Sequence, residues 1–245
     1  NTTAANNTAV GRSALVANTT GAKNTAVGGE ALDANTTGEE NVAIGYRSAS
    51  ANTTGSQNVA IGDQVFLANT TGGSNTAIGR EALLSNTTAS NNTAIGYKSL
   101  EANTTGENNV AMGSYALDAN TTANSNIAIG VHALGAVTTG ASNVALGENS
   151  GDAITTGQFN VALGQNAGTA TTDLITGSGC ILLGYGSHTD ATDADYATGI
   201  GYNIGADAGY TTIGQGVSDI RAAHGNVTWA TVSDERVKKD IEDST

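Results

Sequence analysis

The sequence predicts an all-β fold, a β-solenoid or β-roll of 17-residue coils that assembles as a parallel homotrimer. Three observations support it: a repeat of constant length, an alternating strand pattern in each repeat, and a composition poor in charged and aromatic residues. Asn-Thr-Thr begins at Asn1 and returns every 17 residues through Asn120, and Val137 and Ile154 continue the register. A helix pair needs about 33 residues or more, so this unit is too short for a helical repeat.

The composition excludes an ordinary globular core. The 245 residues include 33 Gly and no Pro, and only 13% are charged and 4% aromatic, whereas about 25% of residues are charged in a typical domain. A core made mostly of Ala buries little apolar area per residue. Disordered chains are usually rich in charge and Pro, so a regular repetitive architecture remains.

Charge and cysteine content exclude several function classes. A net charge of −13 disfavours nucleic-acid binding, because an acidic surface repels phosphate. No apolar run approaches the roughly 20 residues of a membrane span. The single cysteine, Cys180, precludes an internal disulfide framework and is expected to be a small buried hydrophobe. The start at Asn1, without Met, indicates a fragment or a processed product.

Ten repeats cover residues 1–170 without insertion or deletion. We number the positions of each repeat from 1, the Asn of Asn-Thr-Thr, to 17. Position 7 is Asn, position 9 is Ala and position 11 is Gly in all ten repeats, whereas positions 12 and 13 vary freely. Uniform columns are what the stacking of equivalent residues requires, and variable columns indicate solvent or a partner.

The strand pattern lies at positions 7–11. Val42 and Ile44 share one face, and Ala43 lies on the other. We expect the Val/Ile face to form an apolar ladder inside the coil, with Leu at position 15 filling it from the opposite wall. The Ala/Gly face is then free to receive another chain.

Two further expectations concern the polar columns. Asn side chains are expected to hydrogen-bond from coil to coil, as Asn ladders do in stacked sheets. Asn-Thr-Thr-Gly is expected to form the turn, with Gly or Asn supplying positive φ. At about 4.8 Å per stacked strand, ten coils make a rod roughly 48 Å long.

The remaining chain is divided by composition. Degenerate coils are predicted for 171–216, with strand-like segments at 180–184, 198–201 and 210–214. The first of these comes three residues late, and the next two follow after 17 and 13 residues. A connector is predicted for 217–232. Residues 233–245 carry eight charges, which indicates the truncated start of a C-terminal domain.

The repeat motif Asn-x-Ala-(Val/Ile)-Gly-x-x-(Ala/Ser) resembles the head repeats of trimeric autotransporter adhesins, which form trimeric left-handed β-rolls. Repeats with Asn-Thr-Thr-Gly are similar to those of phage-type trimeric tail fibres and tailspikes. The resemblance covers about residues 1–214. It implies a parallel homotrimer and a role in adhesion.

A second stretch, Ser-Asp-Glu-Arg-Val-Lys-Lys-Asp-Ile at residues 233–241, resembles the start of the endosialidase-type intramolecular chaperone domain. In that family the domain trimerises, directs folding and then cuts itself off with a Ser–Lys dyad. The resemblance assigns these roles to Ser233 and Lys238. A Lys with a lowered pKa activates a nearby Ser for attack on a peptide carbonyl.

The resulting functional expectation is a structural and adhesive fibre protein, the distal shaft or tip of a trimeric fibre, located outside the cell on a virion tail or a bacterial surface. Its partners are copies of itself and a cell-surface receptor, a carbohydrate, with no nucleic acid, cofactor or metal. No enzyme activity is expected beyond one-time self-cleavage in a precursor. One alternative is a secreted trimeric autotransporter-type adhesin head. An ice-binding solenoid is disfavoured because Thr36 and Thr37 would point to opposite faces of a strand.

Other candidate residues are scattered. His132, His188 and His224 are isolated and are expected at the surface, since metal sites need clustered ligands. The acidic loop around Asp193 is expected to be solvated rather than to bind calcium. Seven tyrosines are candidates for stacking on sugar rings, and each is as easily structural: Tyr46, Tyr97, Tyr115, Tyr185, Tyr196, Tyr202 and Tyr210.

Overall fold

The computed structural model describes residues 4–169, 174–215, 218–225 and 230–231. These residues form short β-strands and, within the described ranges, no helix, which confirms the predicted all-β solenoid. The strands are β1 Thr8–Val10, β2 Thr25–Val27, β3 Val42–Ile44, β4 Val59–Ile61, β5 Thr76–Ile78, β6 Thr93–Ile95, β7 Val110–Met112, β8 Ile127–Ile129, β9 Val144–Leu146, β10 Val161–Leu163, β11 Ile181–Leu183, β12 His188–Thr189, β13 Thr198–Tyr202, β14 Gly205–Ala206, β15 Tyr210–Gln215, β16 Ser218–Ala223 and β17 Ala230–Thr231.

One parallel ladder runs along the solenoid. Strands β1 to β10 recur every 17 residues, and each pairs in parallel with the next at equivalent positions, as Ala43 does with Ala60. The ladder then pairs Val161 with Ile181, Ile181 with Thr198, and Thr198 with Thr211. These pairings confirm the strand positions expected in the degenerate coils.

The ladder ends in antiparallel strands. β15 pairs in parallel with β13 and antiparallel with β16, and β16 pairs antiparallel with β17. Both β16 and β17 fall in the range predicted as a connector, 217–232. A separate parallel pair, β12 with β14, forms on another wall of the last coils. The reversal at β16 occupies the sheet edge that a further coil would have used.

The assignment of the strand faces was wrong. Ala at position 9 is completely buried inside the coil, as at Ala43 and Ala94, whereas Val and Ile at positions 8 and 10 point outward. Leu at position 15 is buried as predicted, and Phe66 fills that column beside the small Ala49. The apolar ladder expected inside therefore lies outside, and the small-residue face is the core.

The volume of the coil explains this arrangement. A methyl group added at Gly151, in the position-15 column, would contact Leu134, Ile154 and the Cβ of Ala145. Leu side chains thus reach across the coil to the position-9 methyl groups. Because Leu and two Asn columns already fill the interior, only Ala fits on the strand wall, and larger side chains there would overpack it.

Two buried Asn ladders hold the coils together, as predicted. At position 1, each Asn Nδ2 donates to the Oδ1 of the Asn one coil earlier, at 2.7–3.0 Å. At position 7, each Asn backbone N–H donates to the preceding Asn Oδ1, at 2.8–3.0 Å. The position-1 ladder stops at Val137, and the buried Oδ1 of Asn120 is left without a partner.

Positive φ occurs elsewhere than predicted. Positions 6, 13 and 15 carry it in nearly every described coil, as at Ser74 (58°), Lys98 (57°) and Leu100 (52°). The Gly of Asn-Thr-Thr-Gly does not adopt it, so that expectation was wrong. Position 11 requires glycine: Gly96 has a φ of 137°, and a Cβ there would lie 2.5 Å from the carbonyl oxygen of Gly113.

Candidate recognition surfaces

The outer face of the parallel sheet is the largest apolar surface in the described part of the chain. Position 8 alternates among Thr, Val and Ile, and position 10 is Val, Ile, Met or Leu. Several of these side chains remain more than a third exposed: Val10, Ile44, Met112, Ile127, Ile129, Leu146 and Ile181. We call the outward side chains at positions 8 and 10 of β1–β11 and β13 the strand face.

The strand face is large for a surface exposed to water. Stacked strands about 4.8 Å apart and roughly 10 Å long give a strip of roughly 550 Å² over these strands. The largest apolar patch on a typical monomer is about 300–600 Å². A flat strip of this size is typical of a protein interface.

Charged side chains line the ridge at positions 12 and 13, directly after the strand. Glu30 pairs with Arg12 and Arg47 in the coils on either side, and Lys98 pairs with Glu81 and with Glu101 at 2.9 Å. The hydrogen bond to Glu101 raises the pKa of Lys98. The charges are thus matched between coils, although exposed pairs of this kind contribute little to stability.

The same ridge carries aromatic rings. Tyr97 contacts Tyr115 edge-on at 5.3 Å, and Tyr115 stacks on His132 at 4.9 Å. Partial burial and the hydrogen bond with Tyr97 raise the pKa of Tyr115. Tyr185 stacks on Tyr202 at 5.2 Å in the last coils. Most of these rings pack on each other, which gives them a structural role.

The two Thr columns have different environments. At position 2, each Oγ1 donates to the backbone carbonyl of the equivalent Thr in the next coil, at 2.9–3.3 Å. At position 3 the side chains are exposed, as at Thr54, Thr71 and Thr88. One column of outward hydroxyls therefore runs along the rod.

The predicted self-cleavage residues, Ser233 and Lys238, lie outside the described residues. Among the histidines, the surface expectation was wrong for His188. It is buried, and its Nδ1 lies 3.0 Å from the carbonyl oxygen of Gly186. The strand pairing of β12 with β14 draws His188 inward, and the repeat pattern carried no signal for this pairing.

Cys180 is buried, as expected, and continues the position-7 Asn column. Its backbone N–H donates to Asn160 Oδ1 at 2.9 Å, and its Sγ lies 3.0 Å from the carbonyl oxygen of Ala194. Burial raises the pKa of this thiol. Cys180 thus substitutes for an interior Asn and has the properties of a structural residue.

The acidic loop residues Asp190, Asp193 and Asp195 are exposed, as expected. Within the described ranges, no group of three or more His, Cys, Asp or Glu side chains is placed to hold a metal ion. A search of the same ranges also finds no helix long and apolar enough to cross a membrane.

Comparison with protein-family models, with curated proteins and with solved structures found no match.

Sequence reasoning missed the strand face as the main candidate interface. A signal was present, because position 8 holds Thr in several repeats, as at Thr25, Thr76 and Thr93, whereas position 9 never departs from Ala. A column that tolerates both Thr and Val is typical of an outer surface.

Proposed function

We propose that this chain is the rod segment of a homotrimeric extracellular fibre that attaches to a cell-surface carbohydrate. The observation that carries the proposal is the strand face, an apolar strip that extends along the solenoid and has no cover within the described part of the chain.

Copies of the same chain are the best cover for this strip. The strip repeats at the coil spacing, so parallel copies in register place equivalent Val and Ile side chains together at every level of the rod. Each coil carries one such face, and closed symmetry about a shared axis buries all faces at once. Three copies are favoured by the resemblance to trimeric adhesin heads and tail fibres. The number does not follow from the strip itself.

The chemistry of the remaining surface agrees with an adhesive role. The interior is filled by Ala, Leu and Asn ladders, and the described side chains group into no metal site. Variation is concentrated at exposed positions, where a partner can be recognised without disturbing the core. A trimeric autotransporter-type adhesin head and a phage fibre would use this surface in the same way.

Ice binding has weaker support. Only the position-3 hydroxyls point outward, because the position-2 hydroxyls donate to backbone carbonyls. A single Thr column offers a narrower array than paired columns on one face.

Sedimentation velocity tests the assembly. We expect the wild type to sediment as a trimer and the double variant Ile78→Asp/Ile95→Asp to sediment as a folded monomer, since six charges would enter the trimer interface. The matched control is Thr71→Asp/Thr88→Asp, in the same two coils but at position 3, which should remain trimeric. A wild type that sediments as a folded monomer would refute the proposal.

Attachment is tested separately, by binding of the labelled wild-type trimer to cells before and after enzymatic removal of their surface carbohydrate. We expect binding that the treatment abolishes. Binding that survives the treatment would contradict a carbohydrate receptor and leave the trimeric rod in place.

A further inference from the structure

The position-6 column changes character in the last coils. In the first nine repeats it holds only polar or charged residues: Asn6, Lys23, Glu40, Gln57, Ser74, Asn91, Asn108, Ser125 and Ser142. The next three coils place Phe159, Gly179 and Tyr196 there. Phe159 and Tyr196 are 64% and 67% exposed, so two large rings stand in water on adjacent levels of an otherwise polar column.

The backbone places these three residues equivalently. Their N–H groups donate to the position-5 carbonyls one coil earlier, at 3.1 Å for Phe159 and 2.9 Å for Gly179 and Tyr196. All three have positive φ, between 55° and 71°. The aromatic residues are therefore two coils apart, about 10 Å along the rod.

Gly179 gives the Tyr196 ring a fixed seat. A Cβ added to Gly179 would lie 2.8 Å from Tyr196 Cδ1 and 2.9 Å from Cε1. The ring thus lies against the glycine backbone, in the space that a side chain fills in other coils. Since most of Tyr196 stays exposed, the opposite side of its ring is open to a ligand.

Polar groups border the rings. Ser178 Oγ accepts a hydrogen bond from the Gln158 N–H at 3.1 Å, and Asp195 Oδ1 accepts one from the Ser178 N–H at 2.7 Å. The side chains of Gln158 and Asp195 are exposed. These groups offer donors and acceptors to hydroxyl groups of a ligand that stacks on the rings.

The local charge restricts the ligand. The sequence between Lys98 and Arg221 contains no Lys or Arg, and the net charge of the chain is −13. An acidic sugar would therefore meet no compensating cation at this surface. A neutral sugar, with an apolar ring face and hydroxyl edges, matches exposed aromatic rings bordered by amide, hydroxyl and carboxylate groups.

We propose that Phe159, Gly179 and Tyr196 form a platform that binds a neutral oligosaccharide, with successive sugar rings stacked along the rod axis. The assignment rests on the proposed carbohydrate receptor, and it places the binding site at the coils around β10–β13. A second copy of the chain is the less favoured occupant, because the exposed polar border suits a hydroxyl-rich ligand better than a dry interface.

The test starts with the wild-type protein on immobilised mannan, galactan and dextran, with a sialylated glycan as the charged comparison. An oligosaccharide from the polymer that binds is then titrated by calorimetry. We expect Phe159→Ser and Tyr196→Ser each to weaken the affinity roughly tenfold or more, as truncation of an aromatic hot spot does. Tyr46→Ser, which removes an exposed ring from another column, should leave the affinity unchanged.

Gly179→Asn tests the seat without removing an aromatic ring. Asn occupies this column at Asn91 and Asn108 with φ near 60°, so the backbone tolerates it, but its Cβ displaces the Tyr196 ring. We expect a loss of affinity similar to that of Tyr196→Ser, whereas Ser142→Asn in the same column should have no effect. Circular dichroism and sedimentation should match the wild type for all variants.

Several outcomes would overturn the platform. Unchanged affinity in both Phe159→Ser and Tyr196→Ser would place carbohydrate binding elsewhere and leave the proposed function intact. Binding of the sialylated glycan alone would do the same. Loss of the oligomer in these variants would make the platform a contact between copies. Attachment to cells that survives removal of carbohydrate would instead be a failure of the proposed receptor class.

Discussion

Asn91 and Asn92 are adjacent, chemically identical and placed in opposite environments. Asn91 is exposed at position 6, whereas Asn92 is buried in the position-7 ladder. We predict that Asn92→Ala lowers the free energy of unfolding far more than Asn91→Ala. The pair isolates the contribution of the ladder, because the same atoms are removed one residue apart.

The magnitude follows from the contacts of Asn92. Its Oδ1 accepts the backbone N–H of Asn109 at 2.9 Å, and its Nδ2 donates to the carbonyl oxygen of Gly106 at 2.9 Å. Truncation leaves the buried Asn109 N–H without an acceptor, which costs about 1–3 kcal/mol. Gly106 keeps its bond from Asn103 Nδ2, so the second loss adds about 1 kcal/mol at most. We expect a total of roughly 3 kcal/mol.

The matched change at Asn91 removes no buried contact. Its φ of 62° is less favourable for Ala than for Asn, so we expect a cost below about 1 kcal/mol. Urea unfolding at fixed protein concentration, followed by circular dichroism, measures both variants. Native-state hydrogen exchange of the Asn109 amide reports the orphaned donor directly. Equal destabilisation by the two variants, with unchanged protection at Asn109, would refute the ladder as the source of coil-to-coil stability.

Four other changes test separate features. Ala94→Val should cost about 1–3 kcal/mol by overpacking the core, and a neutral result in urea unfolding would contradict the corrected face assignment. Ser125→Val should destabilise by at least about 1 kcal/mol because a β-branched residue is strained at positive φ, while Ser125→Gly should be neutral or stabilising in the same assay; the reverse order would show that the left-handed conformation is absent. Burial raises the pKa of Asp33, so the folded state keeps a proton that the unfolded chain has lost, and stability falls as pH rises through the window between the unfolded and folded pKa. Asp33→Asn should remove that fall in thermal unfolding between acidic and neutral pH, and an unchanged profile would exclude Asp33 as its source. In a precursor that carries the chaperone domain, Ser233→Ala and Lys238→Ala should each leave the chain uncut on electrophoresis, and normal processing would make residues 233–245 an ordinary charged tail.

The repeat length determined most of the fold. A spacing of 17 residues predicted which strands pair, and the late strand near Cys180 predicted where the register slips. The uniform Asn columns predicted the ladders, because an exposed Asn column would tolerate substitution. These features follow from identity between coils, which a single sequence displays fully when it repeats.

The interior could not be assigned from alternation alone. Period two shows that Val42 and Ile44 share a face, but it does not say which face is inside. That choice depends on the volume left by Leu and Asn side chains from other parts of the coil. Hydrophobicity favoured Val and Ile for the core, and the constant Ala at position 9 was the better guide.

The left-handed positions also left a trace that was missed. In the ten repeats, positions 6, 13 and 15 contain no Val, Ile or Thr, although these residues are common elsewhere in the chain. Branched side chains are strongly disfavoured at positive φ, so their absence marks the three bends. The burial of His188 had no such trace, since the coil that contains it occurs once.

The direction of the coil-to-coil hydrogen bonds has a mechanical consequence. The parallel ladder and both Asn ladders run along the rod, so tension between its ends pulls on them lengthwise, and coils detach in sequence from a free end. Each detached coil releases 17 residues, or about 58 Å of extended chain, in place of about 4.8 Å of rod. A fibre of such coils lengthens stepwise under load and dissipates energy at each step, like a tether that absorbs shear while its tip stays attached.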